Sequence, residues 1–170
     1  MKEIVIYTDG ACSYNPGPGG WGVVLKYGQH EKELSGFSEE TTNNRMEIFA
    51  AIQGLRALKE PCSITLFSDS AYLINAFQKG WIRNWQRNGW RNASKQPVEN
   101  QDLWNQLLLS IGQHQIQWVK VKGHADNPYN NRCDQLARAQ VAQYLKDREE
   151  RQARLENHKE GNKKPRKEDN

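Results

Sequence analysis

The stretch EIVIYTDGACSYNPGPGGWGVVLKY, residues 3–27, decides the reading of the fold. Ile4-Val5-Ile6-Tyr7 is a short apolar β run that ends at Thr8-Asp9-Gly10. A Gly/Pro turn cluster, Asn15 to Gly20, separates it from a second run, Trp21 to Tyr27. A third run, Glu31 to Ser38, follows after a short loop. Three strands joined by short loops predict an antiparallel meander.

The pattern then changes period. Asn43 to Leu58 has helical spacing, with Thr42 or Asn43 as N-cap and Pro61 beyond its end. Ser63 to Phe67 reads as a strand ending at Ser68-Asp69, and Ser70 to Phe77 as a helix. Asn100 to Ile111 carries Leu103, Leu107 and Ile111 on one stripe, with Gly112 at its end. Ile116 to Val121 is a strand, and Asn127-Pro128 opens a last helix with Pro at its first position. Strands separated by helices require parallel crossovers. The expected fold class is α/β: a mixed five-stranded sheet with helices packed on both faces.

The chain has 170 residues, enough for one domain with a tail. Its 24 Lys+Arg and 20 Asp+Glu leave a net charge of +4, which permits a polyanionic partner without proving one. No apolar run reaches the roughly 18 residues of a membrane span, and the opening MKEIVIYTDG lacks a signal-peptide core. Cys12, Cys62 and Cys133 are an odd, scattered set that fits neither a disulfide framework nor a zinc site. A reducing cytoplasm is the expected setting. The composition shifts near the end. Residues 1–145 form the expected domain, and 146–170 a charged extension with nine basic and seven acidic residues. Lys146 to roughly Asn157 can prolong a helix through i,i+4 charge pairs, and GNKKPRKEDN is expected to be disordered.

Four carboxylates carry the chemical signal. Asp9 and Asp69 are placed at the C-terminal ends of the first and fourth strands, where α/β sheets bind ligands. Glu47 shares a helical stripe with Ala51, Gly54 and Leu58, a small apolar stripe that should face the sheet. Asp134 lies in the first turns of the last helix. Taken singly, Asp9 could be a turn former, Asp69 a helix cap and Asp134 a helix-start residue. An inward-facing Glu is harder to explain without a role. Four acids converging at one sheet edge could not all stay ionised without a cation, and an all-oxygen set suits Mg²⁺ or Mn²⁺ and not zinc. His124, in the loop Lys122 to Asp126, could move protons beside such a cluster.

A second feature is KGWIRNWQRNGWRNASKQP, residues 79–97. Lys79, Arg83, Arg87, Arg91 and Lys95 recur every four residues, with no acid among them. Up to Asn88 this spacing puts the bases on one helical face, and Gly89 should end the helix. Trp81, Trp85 and Trp90 interleave and could stiffen a basic ridge that grips phosphates. The alternative is a solvated helix face over a structural Trp cluster. Gly17-Pro18-Gly19-Gly20-Trp21-Gly22 matches the dinucleotide fingerprint, but a strand follows it where a helix must open. Ser70, His124 and an Asp form a triad only on paper, because nothing around Ser70 resembles a nucleophile elbow.

Six segments are similar, in order, to the motifs of bacterial type 1 ribonuclease H. They are Tyr7-Thr8-Asp9-Gly10-Ala11-Cys12, Asn15 to Gly22, Thr42-Asn43-Asn44-Arg45-Met46-Glu47, Ser68-Asp69-Ser70, Val121-Lys122-Gly123-His124 and Asn130 to Ala137. The resemblance spans residues 3 to about 143 and leaves the tail outside. It implies a ribonuclease H-like fold and endonucleolytic hydrolysis of the RNA strand of RNA/DNA hybrids, leaving 5′-phosphate and 3′-hydroxyl ends. It makes Asp9, Glu47, Asp69 and Asp134 the ligands of two Mg²⁺ ions, with Mn²⁺ able to substitute. By the same resemblance Asp9 bridges both ions, Asp134 holds the one that activates water, and Glu47 and Asp69 hold the one nearer the leaving group. His124 matches a mobile histidine assigned to proton transfer or product release. Asn15, Asn43 and Asn44 match nucleic-acid contacts, and Thr42 a position near a DNA phosphate. The ridge carrying Lys79, Trp81, Arg83, Trp85, Arg87, Trp90 and Arg91 resembles a protrusion that holds the DNA strand. Ala71 departs from the Gln that members often carry there, so one RNA contact is expected to be missing. A monomer is the expected state. A DNA-cutting enzyme of the same fold and a non-catalytic binding module are the competing readings. The Asn cluster argues against the first and the four intact acids against the second.

Overall fold

The computed structural model describes residues 1–123 and 127–162. Three strands come first: β1 (Lys2–Cys12), β2 (Gly17–Tyr27) and β3 (His30–Thr41). They are followed by α1 (Asn43–Arg56), β4 (Cys62–Ser68), α2 (Ala71–Gln78), α3 (Trp81–Asn88), α4 (Gln101–Ile111), β5 (Gln115–Lys120) and α5 (Pro128–Gly161). The sheet order is β3-β2-β1-β4-β5. β1, β2 and β3 pair antiparallel, while β4 runs parallel to both β1 and β5. This is the mixed five-stranded sheet expected from the alternation of elements.

Glycines decide how close the helices come. A Cβ on Gly10 would lie 2.6 Å from the Glu47 backbone nitrogen, so α1 rests its backbone on β1. One turn pair further along, Gly54 meets Ile6 and Val23 on the same face. On the other face, Cβ atoms on Gly20 and Gly22 would overlap the carbonyl oxygens of Ala137 and Cys133 in α5. Side chains alternate along a strand, so α1 and α5 cover opposite faces of β1–β2. Ile6, Val23, Ile48, Ile52, Leu55, Ile64 and Leu66 fill the α1 side and are almost wholly buried. Glycine spacing that mimicked a dinucleotide fingerprint is therefore a helix seat.

Two expectations change here. The Asn15–Gly20 turn is shorter than its composition suggests, because Gly19 and Gly20 still pair with Cys12 and Ala11. Asp9 consequently lies inside β1, opposite Gly22, and not at its end. It sits at an opening for another reason. β1 pairs with β4 only as far as Tyr7–Phe67, and beyond that it runs on against β2 alone. Asp69 follows directly on the last residue of β4, as expected. The second change concerns the basic ridge. Lys79 caps α2, and Gly80 in the left-handed conformation (φ 72°) separates it from α3. Only Arg83 and Arg87 share the helix. Gly89 (φ 75°) ends it, and the remaining bases lie on a loop in which Trp90 and Lys95 also have positive φ.

α1 is capped by Thr42, whose hydroxyl accepts from the Arg45 backbone N–H at 3.2 Å. α5 begins with Asn127, whose side chain accepts from the N–H groups of Tyr129 and Asn130, and Pro128 takes the first position. Its buried stripe, Asn130, Cys133, Ala137 and Val141, ends where the sheet ends. The helix continues through the charged segment to Gly161, four residues past the expected stop, with every residue after Leu145 exposed. That projection is about 24 Å long.

Gly22→Ala should cost roughly 1–3 kcal/mol, because the new methyl meets the backbone of α5 and not a movable side chain. Urea denaturation reads this as a lower midpoint. An unchanged midpoint would show that α5 can shift without loss.

Candidate active site

Asp9, Glu47 and Asp69 offer one carboxylate oxygen each, all within 4.8 Å of one another. Each arrives by a different route. Asp9 comes from β1 just past its last pairing with β4, and Asp69 from the end of β4. Glu47 comes from the first turns of α1, pressed against Gly10. Asp9 is 4% and Glu47 2% exposed. The Gly10 backbone N–H donates to Asp9 Oδ1 (3.0 Å) and to Glu47 Oε1 (2.9 Å). The Ser68 hydroxyl donates to Glu47 Oε2 at 3.4 Å.

These few donors do not balance the buried charge. Burial is the largest influence on the Asp9 carboxyl, and the Glu47 charge and hydrogen bond add to it, so its pKa is raised far above the usual range. Asp69 and Asp134 push it in the same direction. Glu47 is raised too, again chiefly by burial, with partial relief from its hydrogen bonds to Asp9, Gly10 and Ser68. Three hard oxygen donors drawn together, two of them buried carboxyls pushed toward the protonated form, are a fitting seat for a divalent cation such as Mg²⁺.

The three acids line a cavity of about 870 Å³ together with Asn43, Asn44, Asn130, Asn131, Asp134 and Arg138. Asp134 thus shares the cavity. Its carboxylate is held by Arg138 one turn on, with Nε 3.1 Å from Oδ1 and 3.0 Å from Oδ2. Asn43 and Asn44 stand exposed at the start of α1. Asn15 does not line the cavity; its side-chain oxygen accepts from the Asn43 backbone N–H at 3.1 Å and braces that corner. Thr42 is engaged as the helix cap. Ala71 lines the cavity with no side chain to reach across it. His124 lies outside the described residues. In the ridge, Lys79, Arg83, Arg87, Arg91 and Lys95 are all exposed, whereas three tryptophans are half-buried: Trp81 against Tyr72, Trp85 against Trp104, and Trp90 against Trp85.

Sequence reasoning did not single out Ser68, Asn130 or Arg138. Asn130 and Arg138 stand four residues before and after Asp134, so helical spacing alone puts them on its face. Asn130 is 5% exposed, and its Oδ1 has no hydrogen-bond partner among the described residues. Ser68 directly precedes Asp69, and strand alternation turns it toward Glu47.

The raised carboxyls make stability depend on pH. Without metal, the folded protein retains protons that the unfolded chain releases near pH 4, so its stability falls as pH rises from there toward the raised values. Asp9→Asn removes one repelling charge. It should stabilise the metal-free protein by roughly 1–3 kcal/mol at pH 8 and flatten the pH slope. Mg²⁺ should raise the melting temperature of the wild type more than that of the variant. Thermal unfolding at pH 5 and pH 8, with and without Mg²⁺, checks all three. A variant less stable than wild type at pH 8 would contradict the electrostatic account.

A sequence model of the RNase H family matches residues 1–142. A Ribonuclease H from Symbiobacterium thermophilum is 68% identical over 142 residues, covering 84% of this chain and 97% of the relative. One from Moorella thermoacetica is 67% identical over 142 residues, covering 84% and 93%. Among solved structures, LC9-RNase H1, a type 1 RNase H with the type 2 active-site motif, superposes with a TM-score of 0.75 at 26% identity, covering 84% of this chain and 73% of that one. LC11-RNase H1, solved in complex with an RNA/DNA hybrid, superposes at 0.62 with 23% identity, covering 84% and 99%, and shares the fold. With a family match over most of its length and relatives this similar across nearly their whole chains, this chain belongs to the RNase H family.

Proposed function

We propose that this protein is a metal-dependent endonuclease that cleaves the RNA strand of RNA/DNA hybrids, leaving 5′-phosphate and 3′-hydroxyl ends. The observation that carries the reading is the buried Asp9–Glu47–Asp69 cluster, open to a large cleft, in a chain 68% identical to a Ribonuclease H. Asp9, Glu47, Asp69 and Asp134 would hold two Mg²⁺ ions, with Mn²⁺ able to substitute. When bound, such a pair supplies an activated water and charge stabilisation at the departing 3′ oxygen.

The chain's own groups do the rest. Gly10 and Ser68 orient the carboxylates of Asp9 and Glu47 by donating to them. Arg138 holds Asp134 at the rim until a cation competes for it. His124 is assigned to moving a proton or releasing product. Substrate choice requires sensing 2′-hydroxyls on one strand and their absence on the other. Asn43 and Asn44, exposed in the cleft and braced by Asn15, are suited to that sensing, with Thr42 beside a DNA phosphate. The exposed bases of the ridge, backed by Trp81, Trp85 and Trp90, take the DNA strand. Residues 1–145 act as the catalytic domain and 146–170 as an appended charged extension. Three free thiols support a reducing, cytoplasmic setting, and no helix among the described residues is long and apolar enough to cross a membrane. The protein is read as a monomer.

Cleavage of an end-labelled RNA strand presented single-stranded, in RNA/RNA and in RNA/DNA tests the proposal. Only the hybrid should be cut, EDTA should abolish cutting, and Asp9→Asn should lower kcat by about 10³-fold or more. Tight hybrid binding with no cleavage in Mg²⁺ or Mn²⁺ would make the protein a binding module instead. Removing Arg83 and Arg87 together should reduce the slope of log affinity against log salt by about two, with little change in kcat. An unaltered slope would take the ridge out of the interface.

A further inference from the structure

Arg45 lies between the cleft residue Asn44 and the buried Glu47, yet its side chain leaves the cleft. Nη1 and Nη2 donate to the two carboxylate oxygens of Asp102 at 3.0 and 2.8 Å. Nη1 also donates to Asn100 Oδ1 at 3.2 Å. Asn100 in turn donates through Nδ2 to the Tyr72 hydroxyl at 3.1 Å, and Tyr72 lines the cleft three residues after Asp69. Three helices are therefore tied through Arg45 and its partner Asn100: α1 with Glu47, the start of α4, and, by way of the Tyr72 hydroxyl, α2 behind Asp69.

The start of α4 is also where the basic ridge returns to the domain. Asn100 has a left-handed backbone (φ 63°) that turns the chain from the ridge into the helix. Val98, two residues earlier, is buried and donates its backbone N–H to the Trp90 carbonyl at 3.0 Å. One turn into α4, the fully buried Trp104 packs against Tyr72 (5.3 Å between ring centroids) and against Trp85 of α3 (5.8 Å). Trp85 contacts Trp81 and Trp90 in turn. A continuous set of contacts thus joins the acids to the bases of α3, and Arg45 is its polar link.

A two-point Arg–carboxylate pair fixes both distance and angle, which a single-point contact does not. Here the pair is partly exposed, with side-chain exposures of 32% and 59%, so it contributes little to stability. Its distinctive product is geometry. We propose that Arg45, through Asp102 and Asn100, is a positioning residue that sets the spacing between the carboxylate cleft and the basic ridge, and so the fit of a duplex long enough to touch both. This rests on the hybrid-cleaving reading above.

The test uses two RNA/DNA hybrids with the same cleavage site. One extends from the cleft across the ridge, and the other is truncated before reaching it. Arg45→Ala and Asp102→Asn should each raise KM for the long hybrid roughly five- to tenfold, with kcat within about twofold of wild type. Neither should change KM for the truncated hybrid. The double variant should match the single ones, because both remove one link. Arg45→Lys, which keeps the charge but loses the two-point grip, should fall between. A variant that merely loosens the fold would affect both substrates together. If the wild type cuts both hybrids and Arg45→Ala shifts both KM values equally, or neither, the positioning role is overturned and the hybrid-cleaving reading stands. A wild type that cuts neither hybrid overturns both.

Discussion

Backbone contact between the sheet and its two acid-bearing helices governs the arrangement of this molecule. At Gly10 the first turns of α1 touch β1 without an intervening side chain, and at Gly20 and Gly22 α5 does the same to β2 from the other face. Ordinary helix–sheet packing keeps a layer of side chains between backbones. Removing that layer brings Glu47 within reach of Asp9, and it lets Asp134 look into the same cleft. The glycines of the Gly/Pro-rich segment thus act at a distance from their own turn.

Such closeness is opposed by charge. Three carboxylates meet at the floor of the cleft, two of them almost wholly buried, and among the described residues the Gly10 N–H and the Ser68 hydroxyl donate to Asp9 and Glu47. Burial pushes both Asp9 and Glu47 toward the protonated form. Folding brings the cluster together because the apolar packing around it is extensive: Ile6, Val23, Ile48, Ile52 and Leu66 are fully buried beside it. The metal-free site is therefore held under electrostatic tension by the core, a condition that a divalent cation relieves. Arg138 shows the same principle on a small scale at the rim, where a cationic side chain neutralises Asp134.

The region around α3 and α4 follows a different logic. Five aromatic side chains, Tyr72, Trp81, Trp85, Trp90 and Trp104, form a contiguous cluster beneath exposed bases. Large rings bury much area with few torsions to immobilise, so a loop with three left-handed non-glycine residues is held in one shape. The Arg45–Asp102 pair then ties this unit to α1 at one point, leaving its bases free of acidic partners in the described structure.

Periodicity and residue chemistry by themselves determined the order of elements, the mixed sheet, the inward face of α1 carrying Glu47 and the half-buried tryptophans under an exposed basic edge. These are local properties: strand alternation, helical spacing and turn chemistry act over a few residues. The six quoted motifs likewise pointed to the family that the comparisons then showed. Tertiary structure alone decided that Asp9 sits within β1 at the point where β4 leaves it, because strand length depends on whether a partner continues to pair. It decided that the glycines of the second strand are a helix seat, since only the facing backbone reveals what a Cβ would meet. It took Lys79 off the helix that carries Arg83, leaving it as the cap of α2, because a left-handed Gly80 breaks a periodicity that the letters continue. It also decided the company that Asp134 and Arg45 keep, since ion pairs across elements depend on distances that no spacing along the chain encodes.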